Sequence, residues 1–225
     1  MNLRAIAILC SFLLAASACH KKKTEALPDL GYSYFPVNIG YWVVYEVDST
    51  GWNNGVKTHV QYQLKEIIES QFTDNTGKPA QRIERYKRYL NDSIPYDSLA
   101  WNMAEVWTGN LTPKTAERVE DNQRFLKLIF PPKEGDSWNG YIFTAFSPWT
   151  FRYAKTDVAA THTFTFDSTL TVTQTGLNDP VVYSQYCEEQ YARHVGLIYK
   201  SFTDLEINPD TTGSSYTQIL IDYLR

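Results

Sequence analysis

Trp42-Val43-Val44-Tyr45-Glu46-Val47 is the stretch that decides the fold class. Its β-branched and aromatic residues favour an extended strand, and apolar side chains fall on both of its faces. A strand with two apolar faces is normally covered on both sides. We therefore expect this segment near the centre of a sheet.

Other segments alternate apolar and polar residues with a period of two, which is typical of a strand with one wet face. The apolar positions of these segments are Val60, Tyr62 and Leu64; Leu170 and Val172; and Ile219, Ile221 and Tyr223. Turn-forming residues punctuate the chain at 53–55, 75–79, 176–180 and 209–213. No stretch sustains a helical period, so the sequence predicts an all-β protein with a curved antiparallel sheet or half-barrel.

A short motif occurs twice. Phe35-Pro36 is followed by Gly40 and Trp42, and Phe130-Pro131 is followed by Gly135 and Trp138. Proline ends one element, glycine permits a turn with positive φ, and tryptophan is expected to anchor the next strand in the core. The repetition has two interpretations: an internal duplication with pseudo-repeats at 31–128 and 129–225, or a corner used twice.

The N-terminus has the pattern of a lipoprotein signal peptide. Arg4 supplies the positive charge, an apolar run follows, and Ala16-Ser17-Ala18 precedes Cys19. We expect cleavage after Ala18 and lipidation, including palmitate, of Cys19; the alternative is an ordinary secretory signal. The predicted organisation is a signal peptide at 1–18, a lipidated N-terminus and linker at 19–30, and a single β-rich domain at 31–225.

The charge of the chain limits which molecules it attracts, and its cysteine content limits which disulfides it can form. The formal net charge is −4, which gives no general attraction to nucleic acid, whereas Lys21-Lys22-Lys23 would lie against lipid phosphates. Cys10 falls in the signal peptide and Cys19 is the lipid site, so Cys187 has no disulfide partner. We expect Cys187 to be a small buried strand residue.

No arrangement of residues predicts catalysis, a metal site or a cofactor. The histidines that follow the linker, His59, His162 and His194, stand alone and are expected in solvent or in hydrogen bonds. Glu188 and Glu189 are neighbours on a predicted strand, so they point to opposite faces and cannot flank one bond.

One strand is rich in cations. Arg82, Arg85, Lys87 and Arg88 alternate with aromatic residues, which resembles a nucleic-acid stripe. An envelope protein has little access to nucleic acid. We therefore expect a charged strand at the edge of the sheet, where it discourages aggregation.

Taken together, these motifs resemble a family of uncharacterised Bacteroidota lipoproteins. The resemblance is carried by the lipobox ending at Cys19, residues 34–45, residues 127–138 and residues 191–200. It implies a β-fold similar in outline to the half-barrel carriers and receptors of periplasmic lipoprotein transport. It also implies an outer-membrane, lipid-anchored protein that faces the periplasm, since lysines replace the acidic residues of surface export.

The same resemblance implies a sugar modification. Proteins exported in that lineage are O-glycosylated at Asp-Ser or Asp-Thr followed by an aliphatic residue or threonine. The candidate acceptors are Ser49, Ser93, Ser98, Ser168 and, in the most loop-like setting, Thr211.

Two hypotheses for function follow, and neither is enzymatic. In the first, the aromatic-rich sheet encloses a cavity that binds an apolar or lipid-like ligand. In the second, exposed aromatic rings bind a glycan or a partner protein of the envelope. The direction of Trp101, Trp107, Trp138 and Trp149 distinguishes them, because indoles lining a cavity favour the first and a row facing solvent favours the second.

Overall fold

The computed structural model describes residues 28–179 and 181–225, which form one continuous antiparallel sheet. Its strands are β1 (Trp42–Asn53), β2 (Val56–Thr73), β3 (Pro79–Tyr89), β4 (Asn102–Leu111), β5 (Thr115–Glu120), β6 (Gln123–Ile129), β7 (Ser137–Asn139), β8 (Thr150–Thr161), β9 (Thr165–Asp179), β10 (Tyr183–Ala192), β11 (Gly196–Glu206) and β12 (Thr212–Tyr223). The predicted signal peptide, with Ala18, and the predicted lipid site at Cys19 and Lys21-Lys22-Lys23 lie outside the described residues.

Consecutive strands pair with one another except β6 and β7, and the first strand also pairs with the last. The order across the sheet is β6-β5-β4-β3-β2-β1-β12-β11-β10-β9-β8-β7, so β1 lies in the middle and β6 and β7 are the edges. The sheet curves into a nearly closed barrel. The predicted all-β class, the curved antiparallel sheet and the central position of residues 42–47 are confirmed.

Hydrogen bonds across a seam join the two edge strands. The backbone N–H of Leu126 donates to the oxygen of Gly140 at 2.8 Å, and Trp138 Nε1 donates to the oxygen of Leu126 at 2.9 Å. The Tyr153 hydroxyl donates to the Ile129 oxygen at 2.6 Å and accepts from the Ile129 N–H at 3.0 Å. The side chains of Trp138 and Tyr153 thus form hydrogen bonds with backbone groups of β6 that the short strand β7 leaves unpaired.

The segment before β1 fills one end of the barrel. Tyr34, in a 3-10 turn at Tyr32–Tyr34, and Phe35 are buried in an aromatic and aliphatic cluster with Phe151 and Leu170. We call this the plugged end. The opposite end, which we call the mouth, is formed by the turns at 54–55, 121–122, 140–149 and 207–211.

The repeated motif has the predicted backbone but only part of the predicted packing. Gly40 and Gly135 both have positive φ, +84° and +92°. Trp138 packs on Phe151 and Tyr153, whereas Trp42 lies half-exposed on the outer face below Lys65. The prediction that Trp42 anchors its strand in the core is therefore wrong. The duplication remains a prediction.

Two turn predictions had different outcomes. Asn54 and Gly55 both have positive φ and form the tight β1–β2 hairpin that their sequence predicts. The predicted turn at 176–180 is wrong in its first part, because β9 continues to Asp179. A Cβ atom on Gly176 would lie 2.6 Å from the indole of Trp149, so this glycine permits close packing inside a strand.

Two other predictions are corrected by the sheet. The cationic strand is β3, which lies between β2 and β4 and is therefore not an edge strand. Its cations pair with carboxylates on both faces of the sheet. In β12 the core residue is Leu220, while Ile219 and Ile221 lie on the outer face. Other parts of the chain also cover the outer face there, so alternation alone misassigns the buried side.

Candidate functional site

The inner face of the sheet carries charged side chains between its apolar layers. Glu66, Arg85, Lys127 and Glu189 are all buried. Each occupies a position whose neighbours two residues away also point inward, as Glu66 does between Leu64 and Ile68. The barrel interior is consequently polar at mid-height.

Two ion-pair groups make up this polar layer. In the first, Glu66 accepts from Arg85 Nε at 2.9 Å and from Arg118 at 3.2 Å, and the Arg85 guanidinium lies 3.4 Å from the centre of the Trp107 ring. Burial would raise the pKa of Glu66, but the two guanidinium groups outweigh it and lower that pKa. Glu66 is therefore ionised.

The second group is centred on Glu189, on β10. Its Oε1 accepts from Lys127 Nζ at 2.7 Å and lies 3.2 Å from Lys200 Nζ, while Oε2 accepts from the Tyr191 hydroxyl at 2.6 Å. Burial opposes ionisation of Glu189, but the two ammonium groups hold its pKa at about 2. Burial also disfavours the Lys200 charge, yet Tyr216 and Glu189 raise the pKa of Lys200 well above its ordinary value.

A cavity of about 340 Å³ lies between this group and the mouth. Its aromatic lining is Phe125, Tyr141, Phe146, Phe151, Phe202 and Tyr216. Its polar lining is Glu120, Asp121, Gln123, Lys127, Gln174 and Lys200. This volume falls within the range of small-molecule sites, which combine apolar walls with a few polar groups.

One lining side chain has an unused donor. Gln174 is 3 % exposed, and its Nε2 has no hydrogen-bond partner among the described residues. Trp107 Nε1 is likewise without a partner and borders the adjoining charged space. Buried polar atoms are nearly always paired in folded proteins, so these donors are available to a ligand or to water.

One loop at the mouth exposes apolar residues, of which Phe146 lines the cavity. Ile142, Phe143 and Phe146, in the loop at 140–149, are 57 %, 51 % and 56 % exposed. Behind them, Tyr141 stacks on Trp149 at 5.3 Å, and Trp149 stacks on Phe202 at 6.0 Å. The loop and this aromatic stack form one wall of the cavity.

The four diagnostic tryptophans divide between inside and outside. Trp107 borders the charged interior, and Trp138 and Trp149 belong to aromatic clusters on the inner side of the sheet. Trp101 lies on the outside, where the Arg88 guanidinium sits 4.3 Å from its ring centre. Three of the four indoles therefore face inward, but none of them is among the residues that line the cavity of about 340 Å³.

The candidate modification sites are scattered. Ser93 and Ser98 are exposed between β3 and β4, and Thr211 is half-buried in the turn before β12. Ser49 lies half-buried within β1, and the Ser168 hydroxyl is bonded to Tyr34 and Asp157. The structure brings none of them to the cavity.

The remaining sequence candidates are consecutive residues on β10. Glu188 and Glu189 point to opposite faces as predicted. Cys187 is buried as predicted, and burial raises the pKa of its thiol to about 12.

Across residues 28–179 and 181–225 there is no group of three or more His, Cys, Asp or Glu residues that could hold a metal ion. The same part of the chain contains no helix long and apolar enough to cross a membrane.

Sequence reasoning missed the residues that line the cavity. A signal for Gln174 existed, because it continues the inward alternation of Leu170 and Val172. For Lys127 and Lys200 the signal was weaker, since a single inward lysine looks like any surface lysine until its partner Glu189 is placed beside it.

No protein-family model matches the chain, and no curated protein sequence matches it. The comparison with solved structures found two crystal structures whose folds are similar to the fold of this chain. One is a provisionally assigned lipoprotein from Parabacteroides distasonis, 11 % identical, with 85 % of this chain and 98 % of that chain covered and a TM-score of 0.42. The other is a provisionally assigned exported protein with a YmcC-like fold from Bacteroides fragilis, 9 % identical with the same coverage and a TM-score of 0.40. Similarity at this level assigns the chain to no family and to no activity.

Proposed function

We propose that this chain is a binding protein that takes a small amphipathic, lipid-like ligand into the mouth of its barrel-like sheet. The observation that carries the proposal is the cavity of about 340 Å³, which has aromatic walls and, at its inner end, the ammonium groups of Lys127 and Lys200. Burying apolar ligand surface against such walls is favourable by about 25 cal/mol per Å² before the costs of association.

The charged interior sets a limit on the ligand. A wholly apolar molecule would meet Lys127, Lys200 and Glu120 at the inner end and would remove water from them without compensation. The ligand therefore needs a polar end. This refines the purely apolar occupant that the aromatic content of the sequence suggests.

Binding is a better match to these groups than bond-breaking. Glu189 pairs with Lys127, Lys200 and Tyr191, and Glu66 pairs with two guanidinium groups. The raised pKa of Cys187 keeps its thiol protonated at neutral pH. The ion-pair groups centred on Glu66 and Glu189 therefore hold fixed charges, and neither of these two groups contains an activated nucleophile.

The proposal includes an envelope location. Lipid on Cys19 would hold the protein at the outer membrane on its periplasmic side, as the lipobox and the lysines after it predict. The linker joins the folded body at the plugged end, so the mouth lies at the opposite end from the tether.

Fluorescence titration of residues 20–225 tests the proposal. Trp149 stacks on the cavity wall, so fatty acids or lysophospholipids should change the emission saturably, and Trp149→Phe should remove most of the change. Phe146→Lys, at the mouth, should weaken binding. Phe72→Lys is the matched control, because Phe72 is an exposed phenylalanine on β2 outside the cavity. Absence of any response to either lipid class would refute the proposal.

A second candidate, glycan binding, has one observation in its favour. A groove of about 460 Å³ on the outer face is lined by Trp42 and Trp101 together with Gln63, Asp97 and Asp222. Indole rings can stack on the C–H face of a sugar ring, and carboxylates can accept hydrogen bonds from its hydroxyl groups. A saturable response to oligosaccharides that Trp101→Ala abolishes and Phe146→Lys does not would favour this candidate.

A further inference from the structure

The inner end of the cavity has a buried hydrogen-bond donor that the protein does not pair. Glu189 already accepts from Lys127 and Tyr191 and is ion-paired with Lys200, so both of its oxygens are engaged. Gln174 Nε2 has no partner among the described residues, and the Lys200 ammonium, with three N–H donors, is paired with Glu189 and Tyr216 and has a third donor to place. A ligand that supplies oxygen acceptors would satisfy groups that the protein leaves unpaired.

Charge favours an anion at the same place. The space next to the cavity is lined by Arg85, Arg118, Lys127 and Lys200 and by the carboxylates Glu66, Glu120 and Glu189. Cations thus exceed carboxylates by one. Glu120, Lys127, Lys200 and Tyr216 border both this space and the cavity, so the groups shared by the two carry one net positive charge; the other carboxylate of the cavity, Asp121, lies in the turn at the mouth.

The register of the strands separates a polar row from an aromatic row. Glu189 lies opposite Lys200 and Val172, whereas Cys187 lies opposite Phe202 and Gln174. Gln174 therefore sits one row nearer the mouth than Lys200. Phe151 and Phe202 lie in the same row as Gln174, and the exposed Phe146 follows in the loop at the mouth. A head group between Gln174 and Lys200 would leave its apolar chain along these rings.

We infer that the ligand is an acidic amphipath whose carboxylate is bound by Gln174 Nε2 and Lys200 Nζ. This inference rests on the proposed function and names the chemical class of its ligand. Charge-assisted hydrogen bonds are the strong ones, so the acid group supplies selectivity while the chain supplies buried area.

Two probes with the same chain separate the inference from the proposed function. Calorimetric titration at neutral pH should show dodecanoate binding about tenfold tighter than 1-dodecanol, which corresponds to one charged hydrogen bond. Equal affinity for the two would overturn the inference and keep the proposed function. Failure of both probes to bind would overturn both.

Gln174→Glu is the decisive variant, because it keeps the shape of the side chain and replaces the donor with a negative charge. It should weaken dodecanoate binding by about tenfold or more and leave dodecanol binding unchanged. Gln63→Glu, which adds the same charge on the outer face, should affect neither. Lys200→Gln should also remove the preference for the acid, and it provides the answer if Gln174→Glu does not fold. A retained preference in the folded variants would refute the assignment.

Discussion

The carboxylate of Glu189 joins side chains from three strands: Lys127 of β6, Tyr191 of β10 and Lys200 of β11. Taking these charges out of water is costly, and their mutual contacts offset that cost only while all of them are present. Loss of one partner is consequently more damaging than its single hydrogen bond would suggest.

The low pKa of Glu189 predicts a specific acid sensitivity. Since its pKa is about 2 in the folded protein and 4.5 ordinarily, its contribution to stability is fully present above about pH 4.5. That contribution, about 3 kcal/mol from the size of the shift, is lost as the pH falls through 2. Urea unfolding of the wild type and Glu189→Gln at pH 7 and pH 2.5 measures it. The stability gap between the two proteins should narrow in acid, and a constant gap would contradict the prediction.

Gly40 and Gly135 should resist substitution because of their backbone and not their surroundings. Each has positive φ, and an added Cβ would meet no atom within 4 Å. Alanine at either position should therefore cost about 1–2 kcal/mol, the penalty of a left-handed residue. Gly51 has equal space without positive φ and serves as the control. Denaturant midpoints that are lowered equally at Gly51, Gly40 and Gly135 would refute this explanation.

At the scale of elements, the seam between β6 and β7 depends on Tyr153. Its hydroxyl holds both the N–H and the oxygen of Ile129, so Tyr153→Phe should cost about 1–3 kcal/mol and should speed hydrogen exchange along β6. Tyr45→Phe removes another buried hydroxyl, bonded to the Leu197 oxygen, away from the seam. Native-state hydrogen exchange should separate the two variants. Equal exchange in β6 would show that the seam does not rely on Tyr153.

Strand positions were predictable from the sequence to the extent that one local pattern decided them. Residues 42–47 are apolar on both faces, and the Asn54-Gly55 turn has residues that tolerate positive φ. Gly176 has the same chemistry as a turn glycine but serves the indole of Trp149, which is distant in sequence. Likewise, the place of β3 in the sheet depends on which strands become the edges, and no residue of β3 encodes that.

The candidate site was less predictable than the fold. Its polar lining comes from β5, the turn after it, β6, β9 and β11, and each member is an ordinary residue in its own segment. Gln174 could have been found from its inward parity. The pairing of Lys127 with Glu189 could not, because it joins strands whose proximity appears only when the sheet closes.

At the scale of the whole molecule, the lipid anchor is a prediction that lies outside the described residues. Cys19→Ala should leave the protein unacylated, either as a free periplasmic form or as an uncleaved precursor. Metabolic labelling with an alkyne fatty acid should mark the wild type and miss the variant. Cys187→Ala, which removes a buried thiol, should remain labelled. Equal labelling of wild type and Cys19→Ala would refute the anchor.

The pairing of β1 with both β2 and β12 has a mechanical consequence. A pull applied through an N-terminal tether first reaches the buried plug at Tyr34 and Phe35, and behind it Trp42, the first residue of a strand bonded along its length on both sides. Once the plug is displaced, such a load shears two ladders at once and bypasses the seam between β6 and β7. Drag on a tethered molecule therefore acts at the plugged end and would not pry the barrel open at its mouth.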